Sequence, residues 1–171
     1  GHRVLVPLLR ALDERVDPLM LSHRDTDHTG GARAVLAMQL QAGLLSSIER
    51  GHELQLARVA TRCVAGQRWT WDGVTFDILH PLAADYETGA RPNAISCVLR
   101  ISNGQRSALL VGDIEAAQEA RLVANADGAG PVDRLSVVPA SSSPTGSLLR
   151  ADVLLMPHHG SKTSSSPLFL D

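Results

Sequence analysis

Mixed α/β is the fold class that the sequence predicts, and three observations predict it. Two Asx-Gly pairs, Asp72-Gly73 and Asn103-Gly104, each stand between apolar runs, a strong short hairpin signal. Other stretches carry apolar residues at helical spacing. Three short apolar runs end on a His or an Asp: Leu19-Met20-Leu21 before Ser22-His23, Leu109-Leu110-Val111 before Gly112-Asp113, and Leu154-Leu155-Met156 before Pro157-His158.

The elements follow in order. Val4, Leu5, Leu8, Leu9 and Leu12 share one helical face, so Val4 to Leu12 is expected as a helix. Pro18 to Leu21 is a buried strand running into a polar loop. After Gly30-Gly31, the Ala-, Leu- and Met-rich segment Ala32 to Leu40 suits a helix. Gln67 to Trp71 with Val74 to Leu79, and Cys97 to Ser102 with Arg106 to Val111, form the two hairpins, so the sheets are at least partly antiparallel. Ile114 to Ala124 is a helix starting after Asp113. The Gly-, Ser- and Pro-rich stretch 126–149 is expected as a variable loop. Asp152 to Met156 is the last strand.

A chain of 171 residues fits a single domain, 1–171. Its 3% aromatic content leaves the core to Leu, Val, Ile and Ala. With Lys plus Arg 16 against Asp plus Glu 18, no strong pull toward nucleic acid or anionic membrane follows, and a polyanionic substrate needs local positive charge. No run approaches the roughly 18 apolar residues of a membrane span, and no signal peptide is visible at Gly1. Cys63 and Cys97 lie in apolar, strand-like stretches without CxxC or Cys–His spacing and are expected as two buried thiols. His2, His52 and His80 lie outside the strand-end pattern. Trp69 and Trp71 read as packing in a hairpin, with a base-stacking platform as the other reading.

Chemistry concentrates in His23-Arg24-Asp25-Thr26-Asp27-His28, four ligand-type side chains in one strand-to-helix loop. Imidazole suits Zn²⁺, and carboxylate suits harder ions such as Mn²⁺. Thr29-Gly30-Gly31 then permits a tight turn into a helix. Alone, such a hexapeptide suits a solvated loop with Asp27 as a helix cap; two more ligand-bearing strand ends favour a metal site. Asp113 offers a carboxylate to bridge two ions or cap the helix that follows. Adjacent residues leaving a strand point oppositely, so one of His158 and His159 is expected as a ligand, with His158 preferred. Lys162, with Ser161, suits either a polar turn or a phosphate clamp.

In this order and at these separations, HxDxDHxGG at 23–31, Asn93-Ala94-Ile95-Ser96, Gly112-Asp113 and Pro157-His158-His159-Gly160-Ser161-Lys162 resemble the metallo-β-lactamase superfamily. More narrowly they resemble its ComEC-like branch, and the likeness covers nearly the whole chain. It implies the αββα sandwich, here lacking its first strands and its C-terminal elements, cut from a larger membrane-embedded protein. It also implies two divalent ions, Zn or Mn, about 3.5–4 Å apart. His23 and Asp25 would hold the first, helped by Asn93; Asp27, His28 and His158 would hold the second; Asp113 would bridge them; His159 and Ser161 remain further candidates. Two positions depart from the broad superfamily: Asp25 stands where a second His is usual, and Asn93 where a third is usual. Both replace nitrogen by oxygen and make the first site harder.

The implied function is a metal-dependent phosphodiester hydrolase, a DNA nuclease domain in natural transformation, acting on single-stranded DNA. Asp27 would orient the nucleophile or take its proton, and Lys162 would neutralise developing charge. The implied partner is the membrane channel domain of the same full-length protein. The implied place is the inner (cytoplasmic) membrane, with this domain on its periplasmic or extracellular side. Two alternatives stand beside it. One is another phosphodiesterase of the superfamily, though few aromatics are present for a choline cage. The other is a degenerate domain that binds DNA or a partner without cleaving.

Overall fold

The computed structural model describes residues 1–126 and 148–171. The expected variable loop at 126–149 falls, apart from its ends, outside the described residues. Helix α1 (Leu5–Ala11), strand β1 (Pro18–Leu21), helix α3 (Ala32–Met38) and helix α5 (Ala116–Ala126) stand close to their expected places. Helix α2 (Thr26–Thr29) is one turn inside the polar loop. Strand β2 (Gly43–Ser46), helix α4 (Leu54–Ala57) and strand β3 (Ala60–Arg62) were not expected. Strands this short lack the length that makes a periodic pattern visible.

β1, β2 and β3 form a parallel sheet in that order. Its crossovers carry α3 and α4, as parallel pairing requires. The second sheet runs β4 (Arg68–Trp71), β5 (Val74–His80), β6 (Val98–Ser102), β7 (Ser107–Leu110), β8 (Val153–Leu154). It is antiparallel except that β8 lies parallel to β7. Both Asx-Gly turns are present. Asp72 (φ 49°) and Gly73 (φ 78°) are both left-handed, which a two-residue hairpin turn needs. The second connection is longer, because Asn103 Oδ1 accepts the Gln105 and Arg106 amides at 3.0 and 2.8 Å. β8 is shorter than expected; as an edge strand it pairs with β7 alone.

Alternation along the strands sorts the core into three layers. Leu21 and Leu44 face outward from the first sheet and pack with Ala32 and Leu36 of α3. Met20 and Leu45 face the other way, onto Ile78, Leu99, Leu110 and Trp69 of the second sheet. From that sheet's far face, Val98 and Leu109 meet Ile114, Leu122 of α5 and Phe169 of helix α6 (Pro167–Leu170). Helix, sheet, sheet, helix is the αββα order. Trp69 stacks on Phe76 at 5.1 Å between ring centroids, so it packs as expected, while Trp71 is exposed. Most of the apolar face of α1 is exposed, with only Val6 buried.

The cysteines correct one expectation. Cys63 and Cys97 are buried, but as a disulfide with Cα atoms 6.1 Å apart. Cys63 follows the end of β3 and Cys97 precedes β6, so the bond ties one sheet to the other. Face-to-face packing of the two sheets brings these residues, 34 apart in sequence, together. Among the described residues, no helix is long and apolar enough to cross a membrane.

Candidate metal centre

Three strand ends meet at one rim of the sandwich. Beyond β1, the Asp25 carbonyl accepts the His28 and Thr29 amides at 3.0 and 2.9 Å, and that turn carries Asp27 and His28 toward the rim. Beyond β7, Gly112 has φ 56°, and a Cβ there would stand 2.7 Å from Ser22 Cβ and 3.2 Å from Ser96 Cβ. Only glycine lets this strand exit pass so close while turning left-handed. It delivers Asp113, which is buried. Beyond β8, Pro157–Gly160 is a tight turn in which His158 and His159 both have positive φ, 46° and 54°.

Asp113 lies at the middle of this arrangement. Its carboxylate oxygens are 3.1 Å from His28 Nε2, 3.5 Å from His159 Nε2, 3.9 Å from His23 Nε2 and 4.0 Å from His158 Nε2. Around it are two groups. On one side Asp27 Oδ2 is 3.5 Å from His28 Nε2 and 3.3 Å from His159 Nε2, and one donor atom from each of Asp27, His28, Asp113 and His159 falls within 4.8 Å of the others. On the other side His23 Nε2 is 3.4 Å from Asp25 Oδ2, and His158 Nε2 is 3.3 Å from Asn93 Nδ2. The expectation of a single ligand from His158 and His159 assumed extended backbone, in which neighbours point oppositely. The turn is left-handed instead, and both imidazoles reach Asp113. His159, not His158, stands beside Asp27 and His28.

Asp113 does not cap α5: the Ala116 amide donates to the Thr163 carbonyl, and the Glu115 amide to Gln118 Oε1. Lys162 is exposed, without an ion-pair partner among the described residues. The Ser161 hydroxyl contacts Thr163 Oγ1 at 3.2 Å rather than the histidines. His52 accepts the Leu54 amide, and His80 is buried against the Ser96 carbonyl, so neither joins the centre.

Burial pushes the His23 pKa down, and repulsion from His28 adds to that, against the attraction of Asp113, Asp25 and Asp27. The ring is therefore held neutral, the form that ligates. Desolvation raises the Asp27 carboxyl, but a backbone hydrogen bond and the His28 and His159 rings together outweigh it and hold it below the usual range. His23 Nδ1 lies 3.0 Å from Ser22 Oγ and 3.2 Å from Ser96 Oγ, while its buried Nε2 has no hydrogen-bond partner. A buried polar atom without a partner is costly; a cation in front of Nε2 would satisfy it. The donor set, imidazole nitrogen and carboxylate oxygen only, fits one or two divalent ions. Ser22 and Ser96 were not singled out in the sequence, where a serine beside a histidine carries no signal. A cavity of about 540 Å³ opens at the cluster, polar at His28, Asp113 and His159, apolar at Met20, Leu155 and Met156.

No family model matches the chain. Among curated proteins, competence protein ComA of Neisseria gonorrhoeae is 34% identical over 168 residues, which are 98% of this chain and 20% of that protein. Recombination protein 2 of Haemophilus influenzae is 32% identical over 166 residues, 97% of this chain and 18% of that protein. ComE operon protein 3 of Bacillus subtilis is 31% identical over 181 residues, 99% of this chain and 20% of that protein. This chain is a homologue of one segment of these ComA/ComEC-type competence proteins. It spans about a fifth of the length of these relatives. Solved structures give a more distant likeness. Igni18, a metallo hydrolase of Ignicoccus hospitalis, matches at 16% identity and TM-score 0.45, over 88% of this chain and 68% of its own. The metallo-beta-lactamase fold protein YhfI of Bacillus subtilis matches at 18% identity and TM-score 0.40, over 66% and 48%. At that distance they do not bear on residue roles. The αββα sandwich of this chain stands on the packing of its own layers.

Proposed function

We propose that this chain is a metal-dependent phosphodiester hydrolase, the nuclease domain of a ComEC-like DNA-uptake protein that acts on single-stranded DNA. The observation that carries this reading is Asp113, a buried carboxylate with four imidazole nitrogens 3.1 to 4.0 Å away and oxygen donors on both flanks. A bridging carboxylate between two ions needs such surroundings. In this reading His23, Asp25 and Asn93 serve one ion, joined by His158. Asp27, His28 and His159 serve the other, and His159 replaces His158 there because it stands beside Asp27. Zn²⁺ or Mn²⁺, when bound, supplies positive charge that makes water nucleophilic near neutral pH and offsets charge on a phosphoryl group.

The chain's own groups do the rest. Asp27, exposed and held ionised, orients the attacking water and takes its proton. In this reading Lys162, exposed on the loop after His159, meets a phosphate oxygen. The oxygen-rich donors suit phosphodiester chemistry over lactam hydrolysis. The Cys63–Cys97 disulfide supports a location on the oxidising, outer side of the inner membrane, with the membrane channel of the same full-length protein as partner. The test is cleavage of labelled single-stranded DNA by the chain loaded with Mn²⁺ or Zn²⁺. Cleavage that falls roughly a hundredfold or more in Asp27→Ala supports the reading. A folded, metal-loaded chain without cleavage, or an Asp27→Ala variant as active as the parent, overturns it.

A further inference from the structure

We infer that the pocket walled by Arg24, Arg62 and Tyr86 is a backbone-phosphate subsite, which holds single-stranded DNA by a phosphate flanking the one presented to Asp113. The inference deepens the reading above and rests on it for the identity of the strand.

A chain with a net charge of −2 that handles a polyanion needs positive charge gathered in one place. Parallel strands gather side chains at their carboxyl ends, the usual seat of ligands in such sheets. Here β1 ends on Leu21, β2 on Ser46 and β3 on Arg62. All three ends contribute to one cavity of about 170 Å³: Arg24 beyond β1, Glu49 beyond β2, and Arg62 itself, with Tyr86 and Pro92 closing it. Arg24 stands between His23 and Asp25, and Pro92 precedes Asn93, so the cavity adjoins the residues assigned to the first ion.

Arg62 is the cation best prepared for an anion. Its guanidinium lies over the Tyr86 ring, 4.5 Å from the centroid, and a guanidinium held by its face keeps its N–H edges for a phosphate. Tyr86 is fixed in turn, since its hydroxyl donates to the Cys63 carbonyl at 2.7 Å. The Arg62 carbonyl accepts from Gln67 Nε2 at 3.0 Å, and the Cys63–Cys97 disulfide follows at the next residue. Among the described residues, the Arg62 guanidinium has no carboxylate partner. The two acids of the pocket are both engaged. Asp85 accepts from Arg121 Nη2 at 2.9 and 3.1 Å and from the Leu82 amide at 2.9 Å. Glu49 pairs with Arg24 at 3.0 Å, but both side chains are half exposed, so the pair is weak and a phosphate can take Arg24 from it. A phosphate in the cavity then meets two guanidiniums, whose donor forks match its oxygens.

Equilibrium binding tests this without turnover. Fluorescein-labelled oligo(dT) is titrated with the chain in EDTA and read by anisotropy between about 50 and 200 mM salt. In Arg62→Gln the affinity should fall about tenfold. The slope of log K against log salt should shrink by about 0.7, the share of one single-strand phosphate contact. Arg62→Lys keeps the charge and should keep the slope. Glu49→Gln should tighten binding, because it releases Arg24 and removes an acid from the pocket. Arg10→Gln, exposed on α1, removes the same charge elsewhere and should leave the slope as it is. A parent chain that binds no oligonucleotide, an unchanged slope in Arg62→Gln, or an equal loss in Arg10→Gln overturns the subsite. Should Arg62→Gln not fold, the sign of the Glu49→Gln effect decides. Binding that follows these expectations, with no cleavage by the metal-loaded chain, would sink the nuclease reading and leave the subsite standing.

Discussion

Gly112 shows how much a single residue carries in this site. Its positive φ costs an alanine roughly 1–2 kcal/mol on conformation alone, and its Cβ would also press on Ser22 at 2.7 Å. Gly112→Ala should lower the melting temperature and weaken metal binding together. Gly104 also has positive φ, 85°, but nothing lies within 4 Å of its Cβ position. Gly104→Ala should show a conformational loss with metal binding intact, and thermal melts with and without Zn²⁺ separate the two. At this scale the residue types that meet at the candidate centre were legible. Histidines and aspartates crowded into one loop, and paired again at another strand end, leave few other uses. The roles of His158 and His159 were not legible, because φ at those positions is set by the turn that closes against β7.

Among the elements, α5 does most to aim the third strand end. Glu119, fully buried, accepts the Ser165 and Ser166 amides at 2.6 and 2.8 Å, so its carboxylate anchors the segment that follows the paired histidines. The Ala116 amide on the Thr163 carbonyl adds a second tie. Glu119→Ala leaves two part-buried donors unpaired and should cost about 2–4 kcal/mol in urea unfolding. Metal affinity should fall with it, since His158 and His159 lose their anchor. The disulfide acts between elements rather than within one. A crosslink spanning 34 residues restricts the unfolded chain, and replacing both Cys63 and Cys97 by Ser should remove about 3–4 kcal/mol. Equal unfolding midpoints for the two forms would contradict this.

For the molecule as a whole, two buried imidazoles make stability depend on pH. Burial pushes the pKa of His80 below its ordinary value, with a further push from Arg121 against the Ser96 carbonyl and Asp85. His23 is lowered chiefly by burial as well. In the unfolded chain both titrate near 6.5. As the pH falls below about 6.5, the unfolded state takes up protons that the folded state resists, so folding weakens, while above that value the contribution is complete. Urea midpoints of the metal-free chain should therefore drop between about pH 8 and pH 5.5. His80→Gln should reduce that drop; a flat profile in the parent would show that neither ring is held neutral.

The αββα order was expected from resemblance, and alternation along β2, β5, β6 and β7 realises it, since successive residues must face opposite layers. What the sequence by itself determined is local: the Asx-Gly turns, the long helices, the strand ends carrying His23, Asp113 and the paired histidines. Neighbouring residues suffice to write those features, because turn geometry and helical periodicity act over a few bonds. Only the tertiary structure decided the parallel sheet of β1, β2 and β3, the joining of Cys63 to Cys97, and the placing of Ser96 beneath His23, 73 residues away. Contacts at that separation come from closing long loops onto a packed interface, and no local pattern records which residues will meet there.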